Sequence, residues 1–328
     1  MRRPPDRERG AALLTVLLLV AVIAVLAATA LERLRLSTRV AGNAAAIEQG
    51  RAYAQAAETL ALTRITSLLS RSPGRIALTG GWSGRPFGLP LPGGGVATAR
   101  VTDGANCFNL NSLVTESEPG VYASEPLGRT LFTRLLRLTG APPQVAEQVA
   151  AGAADWIDTD DAVQYAGAED AAYLRGETPY RTAGALMADA SELRAVSGVT
   201  PELYERIRPW ICALPVAVPT QINVNTLLPE QAPLLSIFYP EGRLPPDAAR
   251  QYLLRRPPQG YGDVSAFLNG PAAAGITPDI PNQFDIKTRW FALRVDVSLG
   301  GAVVEERALV DASRLPARLV SRQWGEAS

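Results

Sequence analysis

Histidine is absent from all 328 residues and lysine occurs once, at Lys287. The commonest general base and the commonest nitrogen ligand for transition metals are therefore missing, and every histidine-dependent catalytic triad is excluded. Lys+Arg and Asp+Glu are both 32, so no global charge excess draws the chain to nucleic acid or to an acidic polymer. Cysteine is limited to Cys107 and Cys212, too few for a disulfide-rich scaffold or a thiolate metal cluster. Two local absences matter as much. Charge is missing from Ala11 to Leu31, and proline is missing from Glu32 to Ser70. With 47% hydrophobic residues the chain can bury a sizeable core, which excludes a disordered tail.

The uncharged run is long enough, at ~1.5 Å per residue, to cross a ~30 Å hydrocarbon layer as a helix. Arg2, Arg3, Arg7 and Arg9 precede it, so the positive-inside rule keeps the N-terminus in the cytoplasm and exports the body. A removable secretory signal has a shorter apolar region, although Ala28-Thr29-Ala30 would serve as its cleavage site. A plain anchor explains everything except the junction Glu8-Arg9-Gly10 before Ala11-Ala12-Leu13-Leu14, which resembles the site where prepilin peptidase cuts type IV pilins and pseudopilins. Cleavage is then expected between Gly10 and Ala11. Beyond the membrane, Leu36, Val40, Ala44, Ile47, Ala54, Ala57, Leu60 and Ala61 recur at helical spacing, and Pro73-Gly74 ends the run. One long helix is expected over 11–72, with 11–31 in the membrane and 1–10 as leader.

The region after it reads as sheet, then helix, then sheet. Val96 to Thr102 alternates like a strand, Asp103-Gly104 reads as a hairpin turn, and Cys107 to Leu113 as the returning strand. A phrase like Phe108-Asn109-Leu110-Asn111-Ser112-Leu113 recurs as Ile222-Asn223-Val224-Asn225-Thr226-Leu227, which suggests structural equivalents. Between them Leu131, Leu135 and Leu136, then Val145 to Trp156, then Ser191 to Val196, then Thr200 to Trp210 read as helices, the last opened by Thr200 as N-cap and Pro201. Phe291 to Leu299, Gly300-Gly301 and Ala302 to Val310 form the clearest hairpin, with one buried face. The expected fold is α+β, a long N-terminal transmembrane helix packed on an antiparallel, pilin-like sheet (73–118 and 215–328) interrupted by an all-α insert (119–214).

Cys107 to Leu113, Asp155-Trp156-Ile157-Asp158, Gly167-Ala168-Glu169-Asp170, Asp189 to Leu193 and Ile222 to Thr226 together resemble general secretion pathway protein K, the large minor pseudopilin of type II secretion. The resemblance runs from Arg9 nearly to the C-terminus. It implies a non-enzymatic subunit of the inner membrane with its body in the periplasm. Its implied partners are prepilin peptidase, the I- and J-type minor pseudopilins and the pseudopilus, at whose tip it would start or cap assembly for export of folded proteins across the outer membrane. Most pilins carry Glu at the fifth mature position, where Thr15 stands here. An acid in lipid is costly unless paired, so a tip subunit with no neighbour above it gains by lacking one.

Asp155, Asp158, Asp160, Asp161, Glu169 and Asp170 form the one cluster suited to chemistry. Oxygen ligands at this density, without histidine, suit Ca²⁺ far better than zinc or copper, although the spacing is not that of an EF-hand. The resemblance implies calcium in this domain, with Asp158, Asp160, Glu169 and Asp170 as expected ligands; a solvated acidic loop is the alternative. A glycosidase carboxylate pair would need a sugar cleft that nothing marks. Cys107 and Cys212 flank the helical insert, and an oxidising compartment would let them pair, buried free thiols being the other reading. Ser197-Gly198-Val199-Thr200-Pro201-Glu202 resembles half of a DNA-gripping helical hairpin, but no basic stripe accompanies it, so it reads as a packing turn without nucleic acid. A membrane-anchored periplasmic calcium-dependent enzyme or binding protein is the second functional reading.

Overall fold

The computed structural model describes residues 6–92, 94–176, 178–273 and 275–325. The start of the expected leader, residues 1–5, lies outside the described residues. Helix α1 (Asp6–Arg71) is continuous over 66 residues, about 100 Å long at ~1.5 Å per residue. Its apolar half has a window of mean hydropathy 3.0 with no residue buried, long and apolar enough to cross a membrane. The Gly10–Ala11 junction falls within its early turns.

Among the described residues, the distal half of α1 is the part that meets the body. Ala54, Ala57, Ala61 and Ile65 are buried, and their small size brings the helix close to the sheet. Gly50 marks the closest approach, because a Cβ there would lie 2.9 Å from Val304 Cγ2. The expected stripe therefore packs later than its periodicity suggests: Leu36 and Val40 stay 63% and 62% exposed, and contact begins near Ile47.

Strands β1 (Phe87–Pro90) and β2 (Gly95–Asp103) follow. Next come β3 (Phe108–Asn109), the hairpin β4 (Val114–Glu118) with β5 (Val121–Ser124), helices α2 (Pro126–Leu138), α3 (Pro143–Ile157), α4 (Asp170–Tyr173) and α5 (Pro201–Ile207), and β6 (Ile211–Cys212). A second series runs β7 (Ile222–Asn223), α6 (Ala232–Ser236), α7 (Pro246–Leu254), α8 (Val264–Ala273) and β8 (Phe284–Asp285). The chain ends with β9 (Trp290–Leu299), β10 (Ala302–Asp311) and β11 (Arg318–Trp324). The main sheet has the order β1-β2-β9-β10-β11 and is antiparallel throughout. Alternation fixes its inner face, where Phe291, Leu293, Val295 and Val297 bury against α1 while Arg294 and Ser298 face out. Gly300 and Gly301 turn the β9–β10 hairpin at φ 58° and 85°, which only glycine adopts without strain.

The partner of β2 is not the adjacent segment. Gly95 to Asp103 pair with Leu299 to Phe291, and no hairpin forms at Asp103-Gly104. Cys107 to Leu113 is captured by side chains instead: Asn109 accepts from the Asn111 N–H at 3.2 Å and winds Leu110–Leu113 into a 3₁₀ turn. Phe108 and Asn109 pair in parallel with Ile211 and Cys212.

Two cores result. One joins α1 to the sheet, and the other gathers Phe108 to Phe284 without a seam near residue 214. The folded insert is therefore residues 104–289, wider than the expected 119–214, because Val224, Leu227, Leu235, Tyr239 and Phe267 bury with the first helices and not on the sheet. Short strand pairs accompany its helices. Asp103 ties the two cores together, accepting from Thr226 Oγ1 and Thr288 Oγ1, each at 2.5 Å.

The insert is internally duplicated. In the first half Asn111 clasps the backbone of Met187, donating to its carbonyl at 2.9 Å and accepting its N–H at 2.8 Å. In the second Asn225 clasps Tyr261 the same way, at 3.0 and 2.6 Å. Ser112 Oγ donates to the Asn109 carbonyl at 2.6 Å, and Thr226 Oγ1 lies 3.2 Å from the Asn223 carbonyl, each three residues back. The likeness continues through Pro142-Pro143 and Pro245-Pro246 opening α3 and α7, Asp189 and Asp263 two residues beyond each clasp, and Gly198-Val199-Thr200-Pro201 against Gly275-Ile276-Thr277-Pro278. β3 with β6 and β7 with β8 close the halves as parallel pairs. One segment has no counterpart: 158–186 stands where the second half has only 255–260.

Between α1 and the sheet lies an unbalanced charge group. Arg322 donates to both Glu58 oxygens at 2.8 and 2.9 Å, while fully buried Glu306 has its Oε1 3.5 Å from the same Arg322 Nε and finds no hydrogen-bond partner among the described residues. Burial, with the neighbouring Glu58, pushes the Glu306 carboxyl up to about 8. The folded state then holds a proton that the unfolded chain releases near 4.5, so this group's contribution to stability is full at acid pH and is lost as pH rises through 8. Glu306→Gln is expected to flatten that decline and raise the melting temperature at pH 9; a variant less stable than wild type at that pH would contradict it.

Candidate metal centre

The site grows from the end of α3. Ala146, Val149, Ala150, Ala153, Ala154 and Ile157 bury one broad side of the helix, so its end is fixed in the insert core. Asp155 and Asp158 are three residues apart and share a face there. Asp158 is the C-terminal cap, its N–H donating to Ala154 at 2.9 Å. The segment without a counterpart leaves at this point and folds back to place Glu169, the residue before α4, beside them.

One carboxylate oxygen from each of Asp155, Asp158 and Glu169 lies within 4.8 Å of the others, and all three residues are buried. Asp155 accepts from the Gln164 N–H at 3.2–3.3 Å. Both Asp158 oxygens and Glu169 Oε1 have no hydrogen-bond partner among the described residues. Ala166 takes φ 66° in the folding-back loop, and Gly167 leaves no room for a side chain, since a Cβ would sit 2.1 Å from Asp155 Oδ2. Trp156, Tyr173 and Tyr180, with ring centres 5.2–6.0 Å apart, pack around the end of the helix.

Three buried acids, two of them with unpartnered oxygens, repel one another. Burial, then the charges of Asp160, Asp155 and Glu169, push Asp158 up to about 7. Burial and Asp155 push Glu169 up to about 7, and burial raises Asp155 to about 6. Arg129 is a nearby cation, but it is one charge against three. Hard, convergent oxygens, those of Asp158 and Glu169 Oε1 without a protein donor among the described residues, fit a divalent cation of the calcium type.

Of the four ligands expected from sequence, the structure brings Asp158 and Glu169 together. Asp170 is engaged elsewhere, accepting from the Thr182 N–H at 2.9 Å and from Arg181 Nη1 at 2.5 Å, and these bonds, the Thr182 N–H foremost, hold its carboxyl below the usual range. Asp160 is exposed and accepts from the Ala162 N–H at 2.8 Å, at the rim of the cluster. Asp155 takes the third place. Its signal was its spacing from Asp158, i and i+3 at a helix terminus, which puts both on one face. Thr15 lies on the exposed part of α1 and bonds its own helix, donating to the Ala12 carbonyl at 2.8 Å.

Cys107 and Cys212 are bonded, with Cα atoms 5.8 Å apart. They staple the parallel pair of β3 and β6 at the foot of the first half.

Both halves of the insert match models of one family, described as type II secretion system (T2SS), protein K: residues 106–216 and 222–287. Protein K of Pectobacterium carotovorum subsp. carotovorum is 33% identical over 329 residues, covering 98% of this chain and 97% of the relative. The chain belongs to the type II secretion system protein K family. Protein K of Klebsiella pneumoniae is 34% identical, with 97% of both chains covered. The same fold appears in a crystal structure of the GspK-GspI-GspJ complex from the enterotoxigenic Escherichia coli type 2 secretion system: TM-score 0.74, 30% identity, 85% of this chain and 97% of that one. Family membership makes the chain a minor pseudopilin of type II secretion, and the two family models divide it where the duplicated halves divide.

Proposed function

We propose that this K-family chain is the tip subunit of a periplasmic pseudopilus, anchored by α1 in the inner membrane and assembled with I- and J-type minor pseudopilins to export folded proteins across the outer membrane. The position of the insert carries this reading. It docks at the end of α1 farthest from the apolar half: Asn223 donates to the Ile76 carbonyl at 3.1 Å, and Ile76 donates to the Ile286 carbonyl at 2.8 Å. From residue 31 to Arg71 the helix rises ~60 Å. The subunit's bulk thus sits above its own rod, where a further subunit would have to stack. Thr15 in place of an acid agrees, since the first subunit has no neighbour above it to pair an acid in lipid.

The full chain, co-expressed with prepilin peptidase and I- and J-type subunits, is expected to lose residues 1–10 and to co-purify with both partners from detergent. An intact Gly10–Ala11 bond, or a processed chain that binds neither partner, would overturn the proposal.

Calcium is proposed as the resident ion of the acidic centre, held by Asp155, Asp158 and Glu169 with Asp160 at the rim. Its role there is structural: neutralising three buried carboxylates and pinning 158–186 to the end of α3. The unpartnered oxygens of Asp158 and Glu169 support this choice.

A further inference from the structure

From Thr59 to Thr102 there is no acidic residue, while Arg64, Arg71, Arg75, Arg85 and Arg100 all fall in that stretch. The fold concentrates three of them. A cavity of about 410 Å³ opens between the last turns of α1 and the loop leading into β1, floored by apolar Leu68, Trp82 and Phe87 and rimmed by Arg64, Arg71 and Arg85. The floor is fixed: Trp82 Nε1 donates to the Ala77 carbonyl at 2.7 Å, and the indole packs on Phe291 at 5.5 Å. Arg64 lies over the Phe87 ring, 3.9 Å from its centre. Among the described residues none of the three rim arginines pairs with a carboxylate, in contrast to Arg134, Arg137, Arg289 and Arg322. Three guanidinium groups around one apolar hollow repel one another and have no internal anion to offset them.

We propose that this groove binds an acidic segment of another polypeptide, an aliphatic or aromatic side chain entering the hollow while flanking carboxylates meet Arg64, Arg71 and Arg85. Charge complementarity selects the partner, because guanidinium forks match carboxylates in two-point geometry. Anionic lipid of the anchoring membrane is out of reach, since Arg71 stands ~60 Å of helix beyond residue 31. The apolar floor distinguishes the groove from a simple phosphate site, which would need no hydrophobic wall. Recognition here is independent of the tip assignment, because it uses neither the insert nor the N-terminal half of α1.

The test uses the full chain in neutral detergent and a fluorescein-labelled peptide of alternating Glu and Asp interrupted by Leu and Phe, at about 50 mM salt where exposed ion pairs are least screened. Saturable binding is expected, weakened somewhere between about threefold and about a hundredfold in the triple variant Arg64→Gln, Arg71→Gln, Arg85→Gln, the range that loss of three exposed ion pairs gives. The control Arg255→Gln should bind like wild type, and matching melting temperatures should show that the triple variant is folded. A peptide with Ser for Leu and Phe is expected to bind several-fold more weakly. Equal binding by the triple variant, no binding by wild type, or equal displacement by inorganic phosphate alone would each overturn the proposal.

Discussion

Removing calcium is expected to lower the melting temperature of the folded chain at pH 8, and Asp158→Asn to abolish the difference between calcium-loaded and chelated samples. The expectation rests on three buried carboxylates whose ordinary values of 3.8 to 4.5 rise to about 6 or 7 when no ion compensates them. The sign follows directly. Without metal the folded site holds protons that the unfolded chain has already released, so its contribution is greatest at acid pH and declines from about pH 4 to about pH 7. Calcium needs the deprotonated carboxylates, so its stabilisation grows across the same window and fades by pH 5. At a free concentration about a hundredfold above the dissociation constant, calcium adds ~2.7 kcal/mol. For a unit of this size that is a rise of roughly 5–10 °C. Asp158→Asn distinguishes a metal site from a merely fragile loop. It removes a buried charge without shortening the side chain, so the metal-free protein should become more stable at pH 8 while losing its response to calcium. Glu169→Ala should lose the response as well, whereas Asp170→Ala should keep it, because Asp170 anchors Arg181 and Thr182 and faces away from the cluster. Identical melting curves with calcium and with chelator at pH 8 would exclude the ion.

What the sequence made legible follows the range of the interaction. Phe291 to Val310 carries alternation, a Gly-Gly turn and two strands in one local stretch, so its hairpin could be read directly. The rod was legible for the same reason, since unbroken helical sequence needs no distant partner. The strand at Gly95–Asp103 was readable, but its neighbour was not, because β9 arrives after an excursion of residues 104–289 that no local pattern announces. Asn109 and Asn111 look like strand residues by alternation. In fact their amides tie down backbone from Met187, Leu214, Val216 and Val218, long-range bonds to which periodicity is blind. Recognising that Ile222 to Leu227 repeats the phrase was the stronger clue, since two copies of a buried Asn clasp imply two copies of the unit around it. The acidic centre shows the same limit on a smaller scale. Asp158 and Glu169 could be chosen from density of charge, but Asp170 and Asp155 exchange roles through Arg181 and Thr182, whose proximity only the folded loop reveals.

Duplication also sharpens what the single disulfide does. The positions matching Cys107 and Cys212 in the second half are Gln221 and Asp285, so only the first half is stapled. That half carries the long segment 158–186, whose loop bonds and acidic centre add ordering cost without a large apolar core of their own. The bond spans a sequence separation of 105, and in the chain-entropy model closing a loop of that size restricts the unfolded chain by ~4–5 kcal/mol. Cys107→Ser combined with Cys212→Ser is therefore expected to lower the melting temperature by roughly 10–20 °C. The loss should be uneven. Hydrogen exchange should accelerate first in α3 and the 158–186 segment, while amides of α7 and β8, held by the Asn225 clasp, retain protection longer. The calcium response should weaken in parallel, since Asp155 and Asp158 depend on α3 staying docked against Val149, Ala153 and Ile157. Reduction of the wild-type bond should reproduce the double variant. A melting temperature within about 2 °C of wild type would mean that the paired strands β3 and β6 and the Asn111 clasp hold the first half closed by themselves.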